Sequence, residues 1–181
     1  MKKSYGTPVL DAHKTYQTAL DSLKDNVPFE EKGTCDAETV FGTILRAASQ
    51  KDSIENTSKT LENVPCGNTI RNSLAQYDNV DDAEKFMNSA LQNALPPNIR
   101  NGKHELALDY NLLPYYGKYS SSEEKDFICR SKSTDGTSSF YVYATLYVIR
   151  KGKRATIALV CVRSGESYVS VITRLLSYIS L

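Results

Sequence analysis

The chain of 181 residues is short of several things. It has two histidines and four cysteines, and Cys35, Cys66, Cys129 and Cys161 are scattered, with no C-x-x-C pair. Zinc sites draw on close-set cysteine and histidine ligands, so a zinc site has poor support. Reduced thiols in an intracellular protein are expected, since disulfides follow oxidising compartments. No long hydrophobic run occurs. Phe140 to Ile149 reaches about half of the roughly 20 residues that a spanning helix needs. The charged, apolar and small-residue order of a secretory signal is missing too. Nor does charge of one sign dominate: the formal net charge is +1. Any affinity for nucleic acid must therefore come from local patches. With 40% hydrophobic and 24% charged residues, the composition is that of an ordinary globular protein of one or two domains. The expectation is a soluble, cytoplasmic protein with no membrane partner.

What is present divides by period. Val9, Ala12, Tyr16, Ala19, Leu20 and Leu23 recur at helical spacing until Asn26-Val27-Pro28 ends the pattern. A polar linker, 29–35, precedes a second helix with the stripe Val40, Phe41, Ile44, Leu45 and Ala48. Asp52 and Glu55 read as the capping pair of a short third helix, weakly apolar at Ile54 and Leu61. Pro65-Cys66-Gly67-Asn68 is a turn, and Asn68 can cap a further helix with Ile70, Leu74 and Tyr77 on one face. Another helix, led by Asp81 and Asp82, carries Ala83, Phe86, Met87, Ala90, Leu91 and Ala94 on one side, until Pro96-Pro97 stops it.

After Asn101-Gly102 the pattern becomes strand-like. Glu105 to Leu112 forms one strand, and 114–139 reads as a long polar excursion. Phe140–Arg150 and Arg154–Arg163 form two strands joined through Lys151-Gly152-Lys153 as a hairpin. Their near-continuous apolar character predicts that both faces are covered. Ser164-Gly165-Glu166-Ser167 turns into a helix with the stripe Val169, Ile172, Leu175, Leu176 and Ile179. The expected domains are 1–97, helical, and 98–181, strands plus one helix.

Two places could carry chemistry. Residues 36–77 have the shape of a helix-turn-helix unit, with Asn68, Thr69, Arg71, Asn72, Ser73 and Gln76 on the recognition helix. Arginine reads guanine, amides read adenine and hydroxyls hold phosphates. A solvated face of a small helical bundle would look the same, and both readings stay open. The second place is Asp109, a carboxylate within an apolar strand. Buried, it must be paired, neutralised or metal-bound; at an exposed position it simply faces water. A carboxylate strand, a hairpin and then a helix is the opening order of a ribonuclease H-like domain. Lys118, Arg130, Lys132, Lys151, Lys153 and Arg154 make the region after Asp109 locally basic, as phosphate contacts require.

The stretch Leu106-Ala107-Leu108-Asp109-Tyr110-Asn111-Leu112-Leu113-Pro114-Tyr115-Tyr116-Gly117-Lys118 resembles the first catalytic block of DDE insertion-sequence transposases of the kind common in archaea. The segment from Phe140 to Ile149 and the block Gly165-Glu166-Ser167 are similar to the next segments of proteins in that family. The resemblance runs from about Ala37 to the last residue and is loose before Leu106. It implies an α+β chain: a helix-turn-helix-like region, then an incomplete ribonuclease H-like α/β domain of three strands and one helix. It implies DNA transposition, the cutting and rejoining of DNA at transposon ends. In the family three acids hold two metal ions, Mg2+ or Mn2+, for an in-line phosphoryl displacement. Asp109 matches the first acid, as catalytic residue and metal ligand, and no position matches the second or third. The resemblance thus implies a truncated copy, inactive alone and less stable than its length suggests. Transposon-end DNA is the implied partner, with a homodimer or a full-length transposase as protein partner. The alternative is a non-catalytic DNA-binding protein that occupies transposon ends. Glu166 reads as a charge favourable to the helix N-terminus rather than as a substitute acid.

Overall fold

The computed structural model describes residues 11–33, 35–100, 103–118, 125–150 and 153–179. The fold is α+β, with seven α-helices and a four-stranded antiparallel sheet among the described residues. Two compact units make up the chain, Met1–Asp78 and Asn79–Leu181.

The first unit is helical. Helix α1 (Ala12–Asn26) starts where Asp11 accepts a 2.7 Å hydrogen bond from the Lys14 amide, and it ends before Val27-Pro28. Helix α2 (Ala37–Gln50) is capped in the same way by Asp36, whose carboxylate accepts from the Thr39 amide at 2.7 Å. Helix α3 (Ile54–Thr60) is capped by Ser53, one residue later than the Asp52 cap expected. Helix α4 (Gly67–Leu74) has Cys66 as its N-cap rather than Asn68, and runs into a 3-10 turn, Ala75–Tyr77. Gly67 allows α3 and α4 to meet: a Cβ there would lie 2.7 Å from the Glu55 backbone. The core of this unit is Leu20, Val27, Cys35, Val40, Phe41, Ala47 and Ile70. Helix α2 therefore turns in Val40, Phe41 and Ala47 rather than the expected stripe through Ala48.

The second unit begins with α5 (Val80–Ala94), capped by Asn79, and the short α6 (Pro97–Arg100). The sheet comes next: β1 (Glu105–Pro114), β2 (Ile128–Thr134), β3 (Thr137–Arg150) and β4 (Lys153–Val162). The long β3 is central. β1 pairs along one side of it, with Asp109 opposite Thr145. On the other side β2 pairs with its first part and β4 with its second. Helix α7 (Tyr168–Ser177) closes the unit, capped by Ser167.

The structure corrects several expectations. The polar excursion 114–139 contains β2, which forms a hairpin with β3 through Asp135 (φ 54°) and Gly136 (φ 79°). An Asp-Gly pair with both residues at positive φ is a favoured two-residue hairpin turn, so four strands are present where three were expected. The expected Lys151-Gly152-Lys153 connection falls on residues outside those described, apart from the backbone of Lys153. The sheet is also not buried on both faces. Ala144, Leu146 and Val148 are buried, while Tyr143, Thr145 and Tyr147 between them are half-buried. The tyrosines read as apolar in sequence, yet an amphipathic ring suits a face open to water.

Helix α5 belongs with the sheet, so the boundary falls at Asp78–Asn79 rather than after Pro97. Its buried face is polar. Asn88, 1% exposed, donates to the Leu159 carbonyl at 2.7 Å and accepts from the Leu159 amide at 2.8 Å. Glu84 accepts from the Cys161 amide at 2.9 Å, and Gln92 donates to the Ile157 carbonyl. Spaced i, i+4 and i+8, these side chains share one helix face. They satisfy backbone groups that β4 would otherwise leave unpaired at its outer edge. β1 pairs with no second strand among the described residues.

Candidate functional site

Asp109 sits in the middle of β1 and is exposed. Of the two positions the sequence left open for Asp109, buried or facing water, it takes the second. Side chains alternate along a strand, so Asp109 shares its face with Ala107 and Asn111. The register adds Tyr143, Thr145 and Tyr147 of β3. This is the half-buried face, while Leu108 and Tyr110 pack against the core on the other. Asp109 makes no ion pair or hydrogen bond among the described residues. No group of three His, Cys, Asp or Glu side chains there could hold a metal ion. A divalent magnesium or manganese ion takes several oxygen ligands. The residues beside Asp109 therefore do not fit a metal site by themselves.

Glu84 and Glu166 of the second unit are engaged in structure. Arg174, on α7, reaches Glu84 at 2.7 Å and Glu166 at 2.9 Å. The Tyr178 hydroxyl donates to Glu84 at 3.0 Å, and the Ser170 hydroxyl donates to Glu166 at 2.8 Å. Gly165, with φ 77°, forms the turn that brings Glu166 back to accept from the Arg163 amide at 3.1 Å. Burial alone would push the Glu166 carboxyl upward. Hydrogen bonds from the Arg163 amide, Ser170 and Arg174 outweigh it and hold Glu166 below the usual carboxylate range. Burial, and then the Glu84 charge, pushes Tyr178 up to about 12. This cluster explains why α7 is turned away from its expected orientation. Val171 and Leu175 face inward beside Arg174, while Val169, Ile172 and Leu176 are exposed.

In the first unit α4 sorts the expected DNA-contacting residues into two groups. Asn68, Thr69, Arg71 and Asn72 are exposed. Arg71 lies 3.4 Å from Glu55 in an exposed ion pair, an arrangement of little net strength. Ser73 is 5% exposed, and its hydroxyl donates to the Thr69 carbonyl at 3.2 Å. Gln76 donates to the Ser73 carbonyl and accepts from the Glu30 amide at 2.8 Å. Ser73 and Gln76 thus build the unit rather than its outer face. Cys66, at the N-cap, is exposed and reduced; hydrogen bonding with Thr69 lowers its pKa. In the second unit Lys118, after β1, and Lys132, on β2, are both exposed. Arg130 bonds Ser138 at 3.0 Å, and the Arg154 guanidinium stacks over Tyr147.

Sequence reasoning missed the buried Glu84 and Asn88 and the half-buried Arg174. The available signal was polar residues at i, i+4 and i+8 on a helix otherwise read by its apolar side. No helix among the described residues is long and apolar enough to cross a membrane. No family model, curated protein or solved structure matches the chain.

Proposed function

We propose that the chain acts on DNA as a cytoplasmic protein of the DDE transposase type, with Asp109 as the first acid of its catalytic set. The observation that carries the reading is the order of the sheet. An outward carboxylate lies in the middle of β1, the strands β2, β3 and β4 of the same antiparallel sheet succeed it, and α7 comes next. On this reading Mg2+ or Mn2+ would be held by Asp109 together with acids of a full-length transposase partner, because no position of this chain matches the second or third acid. The chain's own contribution is then to bind and orient DNA, with Asn68, Thr69, Arg71 and Asn72 toward base edges and Lys118 and Lys132 toward phosphates.

A second reading is favoured by the solitary position of Asp109 among the described residues. The chain would bind DNA without processing it, the helical unit recognising and the sheet serving as scaffold. Both readings require duplex binding that weakens steeply with salt. Fluorescence anisotropy on a labelled duplex tests this. Arg71→Ala should weaken binding about tenfold, the loss of one good base contact. Lys132→Ala should lower the salt slope by about one. Asp109→Asn leaves binding intact under both readings. It abolishes Mn2+-dependent strand cleavage, reconstituted with a full-length transposase whose own first acid is replaced by alanine, under the first alone. A chain with no affinity for duplex DNA at low salt would overturn both.

A further inference from the structure

We propose that the second unit holds a binding site for a small amphipathic anion, an aliphatic or aromatic carboxylate, in the cavity between the end of α5, α6, the start of β1 and the end of α7. The cavity measures about 490 Å3, within the range of small-molecule sites. Leu95, Ile99, Val148, Ile157 and Ile179 line it with apolar surface. Arg100, Lys103 and His104 line it too, Arg100 and Lys103 exposed and His104 half-buried. No carboxylate is among the described lining residues. An apolar body with cations at its solvent side suits a molecule with an apolar tail and an anionic head.

A second observation is independent of the shape. The His104 Nε2 atom is buried and has no hydrogen-bond partner. Such an atom pays for lost hydration without compensation, and a native fold seldom leaves one so. The ring lines the cavity while this atom is out of solvent's reach, so a ligand oxygen becomes its partner once the ring turns toward the cavity. Arg100 is fixed at the rim, because its guanidinium donates to the carbonyls of Leu95, Gln92 and Asn93 at 3.1, 2.7 and 3.2 Å. That bonding holds positive charge at the mouth at no further ordering cost when a ligand arrives. Lys103 makes no ion pair or hydrogen bond among the described residues, which leaves its charge for an incoming anion.

The chain has two histidines, His13 and His104, so their imidazole nitrogens are readily told apart by nuclear magnetic resonance. Decanoate is the probe, added to the full chain, with decylamine as the oppositely charged comparison. The expected result is a saturable shift of the His104 ring nitrogens, an unmoved His13, and no such shift with decylamine. Lys103→Glu, an exposed change, should weaken decanoate about tenfold. Leu106→Trp, which places bulk at the cavity wall from a partly exposed position, should abolish the shift. Circular dichroism of each variant should match the parent. An unmoved His104 at saturating decanoate, an equal response to decylamine, or a folded Lys103→Glu variant that binds as before would each overturn the site. All these readouts are made without DNA, so they succeed or fail separately from the transposase reading.

Discussion

At the scale of single residues the second unit depends on polar groups placed where apolar ones would ordinarily sit. Asn88 satisfies both backbone groups of Leu159. Asn88→Leu would leave a buried donor and a buried acceptor without partners, at about 2–4 kcal/mol in total. Thermal unfolding measured by calorimetry should show the second unit melting on the order of 10 °C lower. An unchanged melt would mean that water replaces the amide at the β4 edge. The cysteines separate on environment. Cys66 is exposed with a lowered pKa, whereas burial raises Cys129 and Cys161. The thiolate is the reactive form. Iodoacetamide should therefore modify Cys66 well before those two, with mass spectrometry of peptides as the readout. Asp109 is legible in the sequence as an unusual residue, but its exposure is not. Alternation places it on the face that carries Tyr143 and Tyr147, and the apolar run of β3 hides the fact that this face is open.

At the scale of elements, helix ends are more legible in the sequence than helix faces. Proline and capping aspartate act locally, so Val27-Pro28, Asp36 and Pro96-Pro97 mark boundaries that the fold keeps. Which face turns inward depends on what it meets. Helix α5 meets a strand edge and presents Glu84, Asn88 and Gln92. Helix α7 meets the carboxylates of Glu84 and Glu166 and presents Arg174. Neither partner is visible within the helix's own sequence. The β2–β3 hairpin is a different kind of miss: Asp135-Gly136 is a local signal, hidden by the polarity of the strand before it. For α4 the same limit applies as for α5 and α7. Spacing alone puts Ser73 and Gln76 on the outer face, and packing removes them from it.

The whole molecule should respond to pH through the cluster around Arg174. Glu166 has a depressed pKa, so its contribution to stability is present above the ordinary carboxylate value of 4.5 and is lost as pH falls through its lower folded value. Tyr178 is raised. Its contribution is complete below the ordinary value of 10.0 and disappears as pH rises toward about 12. The second unit should therefore lose stability in both acid and strong alkali, as read by denaturant midpoints across pH. Tyr178→Phe should flatten the alkaline limb while leaving the acid limb in place. An alkaline limb unchanged in Tyr178→Phe would assign it to other groups.

Engagement of DNA is the role proposed for both units, and the helical unit offers the most specific face for it. Amide chemical-shift mapping on the full chain, with and without a duplex at low salt, tests that role most directly. The predicted result is a contiguous set of perturbed amides at Asn68, Thr69, Arg71 and Asn72, reduced by added salt and lost in Arg71→Ala. No perturbation on α4, or perturbations there that salt and Arg71→Ala leave unchanged, would contradict it.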